Sequence, residues 1–95
     1  MSKESPCFKV GDVIADAFSS PMTIEEIRIG TESDFIGNGK KVNWTGELCY
    51  ISRFTYGKKN TIVFPVDFAD RNFFKKGTKE FETYDKSWRE FYQLP

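Results

Sequence analysis

The sequence predicts a small, mainly β protein: an antiparallel β-barrel followed by a C-terminal helix. Two observations predict the strands, because apolar and polar residues alternate over several short segments and glycine, proline or asparagine separates these segments. A third observation predicts the helix, because the aromatic residues near the C-terminus recur at helical spacing. A closed barrel suits short strands, since closure removes exposed strand edges.

The chain is long enough for one domain, because 95 residues fall within the usual size of a single compact core. We expect residues 1–7 to form a flexible N-terminus. Residues 8–66 should form the β-barrel, and residues 67–95 should form a helical extension that packs on the barrel.

Turn residues separate the first two predicted strands. Gly11-Asp12 supplies a turn before the first strand, which should run to about Phe18, and Ser19-Ser20-Pro21 ends it. Residues 22–29 change their apolar positions from even to odd numbers, which predicts a β-bulge at Glu25-Glu26. A short amphipathic helical turn is the alternative for this segment.

The middle of the chain predicts a loop and three strands. The loop is rich in glycine and has Gly37-Asn38-Gly39 at its tip. In the longest strand, even-numbered residues share one face and odd-numbered residues share the other. Pro65 ends the last of these strands or lies at a sheet edge. In chain order the elements are the loop 30–41, the strands 41–45 and 48–56, the hairpin turn 57–60 and the strand 61–64.

Two helices are predicted after Pro65. The segment 66–77 has Asp67 at an N-cap position and ends in lysines followed by Gly77, which is the usual pattern of a helix start and stop. The tail carries an amphipathic aromatic stripe at helical spacing: Tyr84, Trp88, Phe91 and Tyr92. This stripe either covers one end of the barrel as core or stays exposed as an interface.

The composition argues against an enzyme. The chain has no histidine, which removes the commonest general acid–base group and the commonest metal ligand. Cys7 and Cys49 lie far apart with no CxxC pair, so the sequence has neither a zinc motif nor a dithiol redox motif. We therefore expect no catalysis, no cofactor and no metal. With no apolar membrane span and no export leader in the sequence, we expect a cytoplasmic protein.

The opening of the chain resembles a known family. Phe8-Lys9-Val10-Gly11-Asp12-Val13-Ile14, followed by Ser19-Ser20-Pro21-Met22-Thr23-Ile24, is similar to the VGDVV strand and SGGPxMTV segment of the small YodC-like bacterial and phage proteins. Lys41-Val42-Asn43-Trp44 resembles their V-x-C-x-W strand, without the cysteine and with slightly different spacing. The likeness covers about residues 8–45. It implies an SH3-like barrel, and it implies no functional residue because the family has no assigned activity.

These observations favour a binding module. We expect it to bind a protein partner or a second copy of itself through aromatic residues, and a host factor would be the partner if the gene belongs to a phage. The tail aromatics would either support the barrel or extend the contact surface. The predicted contact residues are Trp44, Tyr50, Phe54, Tyr56, Trp88 and Phe91.

A nucleic-acid-binding barrel of the KOW or SH3-like type is the alternative. Lysine pairs lie next to predicted turns and near aromatic residues, and such loops hold single strands by placing lysine on phosphates and rings under bases. The sequence pI of about 6.3 argues against this alternative, because nucleic-acid-binding domains are usually basic. Its predicted contact residues are Lys40, Lys41, Lys58 and Lys59.

Overall fold

The computed structural model describes residues 6–31, 44–57 and 60–94. Within these ranges the chain forms a small α+β domain with five strands and two helices. In chain order these are β1 Val13–Ala15, β2 Met22–Ile29, β3 Leu48–Phe54, β4 Thr61–Pro65, α1 Val66–Asn72, β5 Phe74–Lys75 and α2 Lys79–Phe91.

The five strands form one antiparallel sheet in the order β4-β3-β2-β1-β5, so the last strand returns to lie beside the first. Among the described residues no pairing joins β4 to β5. The sheet is therefore open, and the predicted closure into a barrel is wrong. β1 has 3 residues and β5 has 2, and such short strands offer too few backbone hydrogen bonds to close a barrel. The predicted antiparallel sheet with a C-terminal helix is confirmed.

The predicted β-bulge lies on β2, where it faces β3. Ile24 and Glu26 pair with consecutive residues of β3, so Glu25 is the extra residue. The bulge changes the parity of the strand and keeps Ile27 against the same core as Ile24. The bulge prediction is confirmed, and the helical alternative for this segment is wrong.

The sheet buries side chains on both faces. Cys49 and Ile51 of β3 form a small cluster with Val63 of β4, and Trp44 packs against this cluster. The even-numbered face of β3 contributes to the main core, which confirms the predicted alternation. The buried residues of this main core are Phe8, Ile14, Met22, Ile24, Tyr50, Ile62, Val66, Ala69 and Phe73.

The segment after β4 differs from the single helix predicted over residues 66–77. Pro65 takes the N-cap position of α1 without a side-chain hydrogen bond, and Asp67 lies in the first turn. The helix ends at Asn72, and Lys75 lies in β5, where it pairs with Ile14 of β1. Without β5, this edge of β1 would present unpaired backbone groups, so the strand pairing outweighs continuation of the helix.

α2 confirms the predicted C-terminal helix and packs against β1 and β5. The Thr78 hydroxyl caps its N-terminus by accepting a hydrogen bond from the Phe81 N–H. Phe81 is buried, whereas Trp88 is half-buried and Phe91 is exposed. The indole N–H of Trp88 donates to the carbonyl of Asp16. The C-terminal end of α2 therefore lies beside the loop that follows β1.

Candidate functional site

Three of the aromatic residues predicted to contact a partner pack against the two hydrophobic clusters of the sheet. Tyr50 is fully buried in the main core. Phe54 is half-buried against the same core. Trp44 packs against the smaller cluster on the other face of the sheet. These three rings stabilise the sheet and do not form one exposed surface.

Tyr56 attaches the end of the sheet to α2. Its hydroxyl donates a 2.6 Å hydrogen bond to Asp85 Oδ1, and Arg89 Nε donates to Asp85 Oδ2 at 3.0 Å. The Arg89 guanidinium lies 5.7 Å from the centre of the Tyr56 ring. Burial and the hydrogen bond to Asp85 raise the pKa of Tyr56, so the phenol keeps its proton and remains a donor.

The lysines of the nucleic-acid alternative lie outside the described residues: Lys40, Lys41, Lys58 and Lys59. That alternative stays a prediction. In the part of the chain that the structure describes, no group of three or more acidic or cysteine side chains is placed to hold a metal ion. Across the three described ranges, no helix has the length and apolar character needed to cross a bilayer.

An exposed aromatic surface lies where α2 meets the loop between β1 and β2. Phe18 is 92% exposed and Phe91 is 71% exposed. Phe91 also lines a groove of about 330 Å³, together with Ala17, Tyr84, Ser87 and Trp88. Together with Phe18, these groove residues are called the aromatic surface below. Exposed aromatic side chains and apolar grooves of this kind are typical of interaction sites.

Asp16 organises both parts of the aromatic surface. Its side chain accepts a 2.9 Å hydrogen bond from the Phe18 N–H, and its own N–H donates to the Ser19 carbonyl at 3.1 Å. Its carbonyl accepts the indole N–H of Trp88 at 3.1 Å. One residue therefore fixes the turn that presents Phe18 and the ring that lines the groove.

The rings at the end of α2 hold one another in place. Trp88 and Phe91 meet edge to face, with ring centres 5.5 Å apart, and Phe91 meets Tyr92 in the same way at 5.1 Å. Tyr92 lies so close over Gly57 that a β-carbon there would meet its ring. This close approach fixes the last turn of α2 against the β3–β4 connection.

The pH dependence of stability offers a test of Asp16. Burial raises the pKa of this carboxyl in spite of its hydrogen bonds, so the folded chain holds the proton more tightly than the unfolded chain. Its contribution to the free energy of unfolding therefore falls as pH rises from the unfolded pKa through the folded one. Asp16→Asn keeps an oxygen acceptor for the Phe18 N–H and should remove this fall. Urea denaturation of the wild type and of Asp16→Asn between about pH 3 and pH 7 measures the free energy of unfolding of each. If this free energy changes with pH in the same way in both proteins, the prediction is contradicted.

Phe18 and Asp16 were absent from the predicted contact residues. The sequence places Phe18 at the end of the first strand, but β1 ends at Ala15. The sequence signal for the turn is an aspartate shortly before a Ser-Ser-Pro run, because an aspartate side chain readily accepts a hydrogen bond from the backbone N–H two residues on.

No known protein family, curated protein or solved structure matches the chain. The resemblance of residues 8–45 to the YodC-like proteins stays a prediction.

Proposed function

We propose that the protein is a small non-catalytic module that binds a protein chain through the aromatic surface. The exposure of Phe18 is the main support for the proposal. This large apolar side chain is 92% exposed on a hydrogen-bonded turn. Full burial of such a side chain is worth about 1.5–3 kcal/mol. A partner that covers Phe18 would therefore gain binding free energy of this order. Aromatic residues are also enriched at the centres of protein interfaces.

The turn that holds Phe18 is organised in advance of binding. Asp16 closes this turn and ties it to α2 through Trp88. Ordering a flexible side chain at an interface costs about 0.5–1.5 kcal/mol, and a turn that is already closed by hydrogen bonds avoids part of such a cost. This arrangement supports binding with little change of backbone shape.

The proposal gives different roles to the residues of the aromatic surface. Phe91 and Phe18 supply the exposed area that a partner covers. Trp88 is half-buried, and its indole N–H donates to the Asp16 carbonyl. Burial and this hydrogen bond hold its ring in place along the groove. Tyr56 acts indirectly, because it attaches the helix that carries both tail rings.

Photo-crosslinking tests the proposed function. Benzoylphenylalanine in place of Phe18 or Phe91, in the full chain expressed in cells, is expected to give covalent adducts with a protein on irradiation, because the probe reacts with groups in direct contact. The same probe in place of Val10 is the control and should give no adduct. Val10 is 57% exposed but precedes β1, whereas Phe18 follows it. No adducts at positions 18 and 91, or equal yields at all three positions, would contradict the proposal.

A further inference from the structure

We propose that a cleft between α2 and the sheet binds a small organic carboxylate and that Lys76 recognises its charge. The cleft has a volume of about 210 Å³, and its walls come from β1, β2, the end of β3, the turn after β5 and α2. Among the described residues, it shares none with the aromatic surface. The proposal is therefore independent of the proposed function.

The charged side chains of the cleft carry one more positive than negative charge. Arg89 and Asp85 form an ion pair, in which Arg89 Nε lies 3.0 Å from Asp85 Oδ2. Lys76 is the other charged residue among the described ones that line the cleft. Within the described part of the chain, no acidic side chain forms an ion pair with the Lys76 ammonium group. A ligand with one negative charge would therefore neutralise the cleft.

Asp85 already accepts hydrogen bonds from two side chains of this protein. Its Oδ1 accepts the Tyr56 hydroxyl at 2.6 Å, and its Oδ2 accepts Arg89 Nε at 3.0 Å. A cationic ligand would meet the positive charges of Lys76 and Arg89, while the carboxylate of Asp85 is already paired. The arrangement therefore favours an anion over a cation.

The cleft also has an apolar wall and two hydroxyl groups. Pro21 and Phe81 are buried, Val13 is half-buried, and all three side chains line the cleft. Thr23 and Thr55 line it as well, and a threonine hydroxyl can donate a hydrogen bond to a carboxylate oxygen. An inorganic anion would leave the apolar wall in contact with water, whereas the hydrocarbon body of a small carboxylic acid would cover it.

The volume of the cleft limits the size of the ligand. Pockets for drug-sized ligands have about 300–1,000 Å³, so a cleft of about 210 Å³ suits a ligand with a single ring or a short chain. Few atoms give little binding free energy, and we expect a dissociation constant in the millimolar range. Benzoate has a single ring and a single carboxylate, so it is a suitable probe.

Titration of the full chain with benzoate near neutral pH and at constant ionic strength, followed in amide NMR spectra, tests the proposal. The amide signals of Thr23, Thr55 and Lys76 should shift and saturate. Lys76→Gln should weaken benzoate binding by at least about fivefold, and benzamide, which has a similar shape without the charge, should bind the wild type more weakly by a similar factor. Lys79→Gln is the matched control, because it removes the same charge from an exposed residue of α2 that does not line the cleft.

Four results would overturn the carboxylate site. They are the absence of saturable shifts, equal affinity for benzamide and benzoate, unchanged benzoate affinity in folded Lys76→Gln, and tighter binding of inorganic phosphate than of benzoate. The NMR spectra themselves show whether each variant is folded. The crosslinking experiment tests the proposed function separately, because positions 18 and 91 do not line the cleft.

Discussion

Phe81→Ala is expected to lower the free energy of unfolding by about 3–5 kcal/mol, which is a large share of the stability of a small domain. Phe81 is 2% exposed and lies in the first turn of α2. It sits beside Val13 of β1 and Lys76, where the helix packs on the sheet. Truncation to alanine removes apolar burial and leaves a cavity at this contact. Urea denaturation followed by tryptophan fluorescence measures the loss.

The neighbouring substitution Glu82→Ala is the matched control, because that side chain is exposed and its loss should change stability by less than about 0.5 kcal/mol. A loss below about 1 kcal/mol for Phe81→Ala would show that the C-terminal half of α2 holds the helix by itself. The full loss would mean that one buried ring supplies much of the free energy that holds α2, the helix of Trp88 and Phe91, on the sheet.

The helical stripe could be predicted from the sequence, but the identity of its buried ring could not. Phe81 and Trp88 are two helical turns apart and so lie on the same side of α2. The predicted stripe nevertheless begins at Tyr84. Which ring enters the core depends on where the helix crosses the sheet, and that crossing is set by the pairing of β5 with β1. Local spacing carries no information about such a tertiary contact.

The bulge could be predicted from the sequence, whereas β5 could not. A change in the parity of apolar residues is a local property of residues 22–29, so the bulge could be predicted from the sequence alone. β5 has 2 residues and therefore shows no period at all. It forms because the edge of β1 needs backbone partners, and that need exists only once the sheet is assembled. The open sheet could not be predicted for the same reason.

The candidate site was predicted in part, because alternation shows that a strand has two faces and does not show which face is covered. Trp88 and Phe91 belong to the aromatic surface, but Tyr50 lies in a strand whose two faces are both buried. Phe18 was missed because its exposure follows from the turn that Asp16 closes. Exposure of a single ring on a turn leaves no periodic signal in the sequence.

Tyr50→Phe is expected to lower the free energy of unfolding by about 1–3 kcal/mol, and Tyr50→Ala by about 3–5 kcal/mol. The Tyr50 hydroxyl accepts a hydrogen bond from the Phe8 N–H at 3.1 Å and donates one to Asp70 Oδ1 at 2.6 Å. The other oxygen of Asp70 accepts the Cys7 N–H at 3.1 Å. Burial raises the pKa of Tyr50, so the phenol stays protonated and keeps the donor that Asp70 requires. Urea denaturation of both variants measures the two losses.

The two substitutions at Tyr50 separate the hydroxyl from the ring. Removal of the hydroxyl leaves the Phe8 N–H buried without this acceptor, which costs more than the loss of one exposed hydrogen bond. Tyr92→Phe removes only the hydroxyl from a ring that is 36% exposed and should change stability by less than about 0.5 kcal/mol. Because Tyr50 is 0% exposed, folded Tyr50→Phe that carries the photo-crosslinking probe at position 18 or 91 should give the same adducts as the wild-type background. A folded Tyr50→Phe protein that loses binding would mean that this ring reaches the partner, and it would contradict the assignment of Tyr50 to the core.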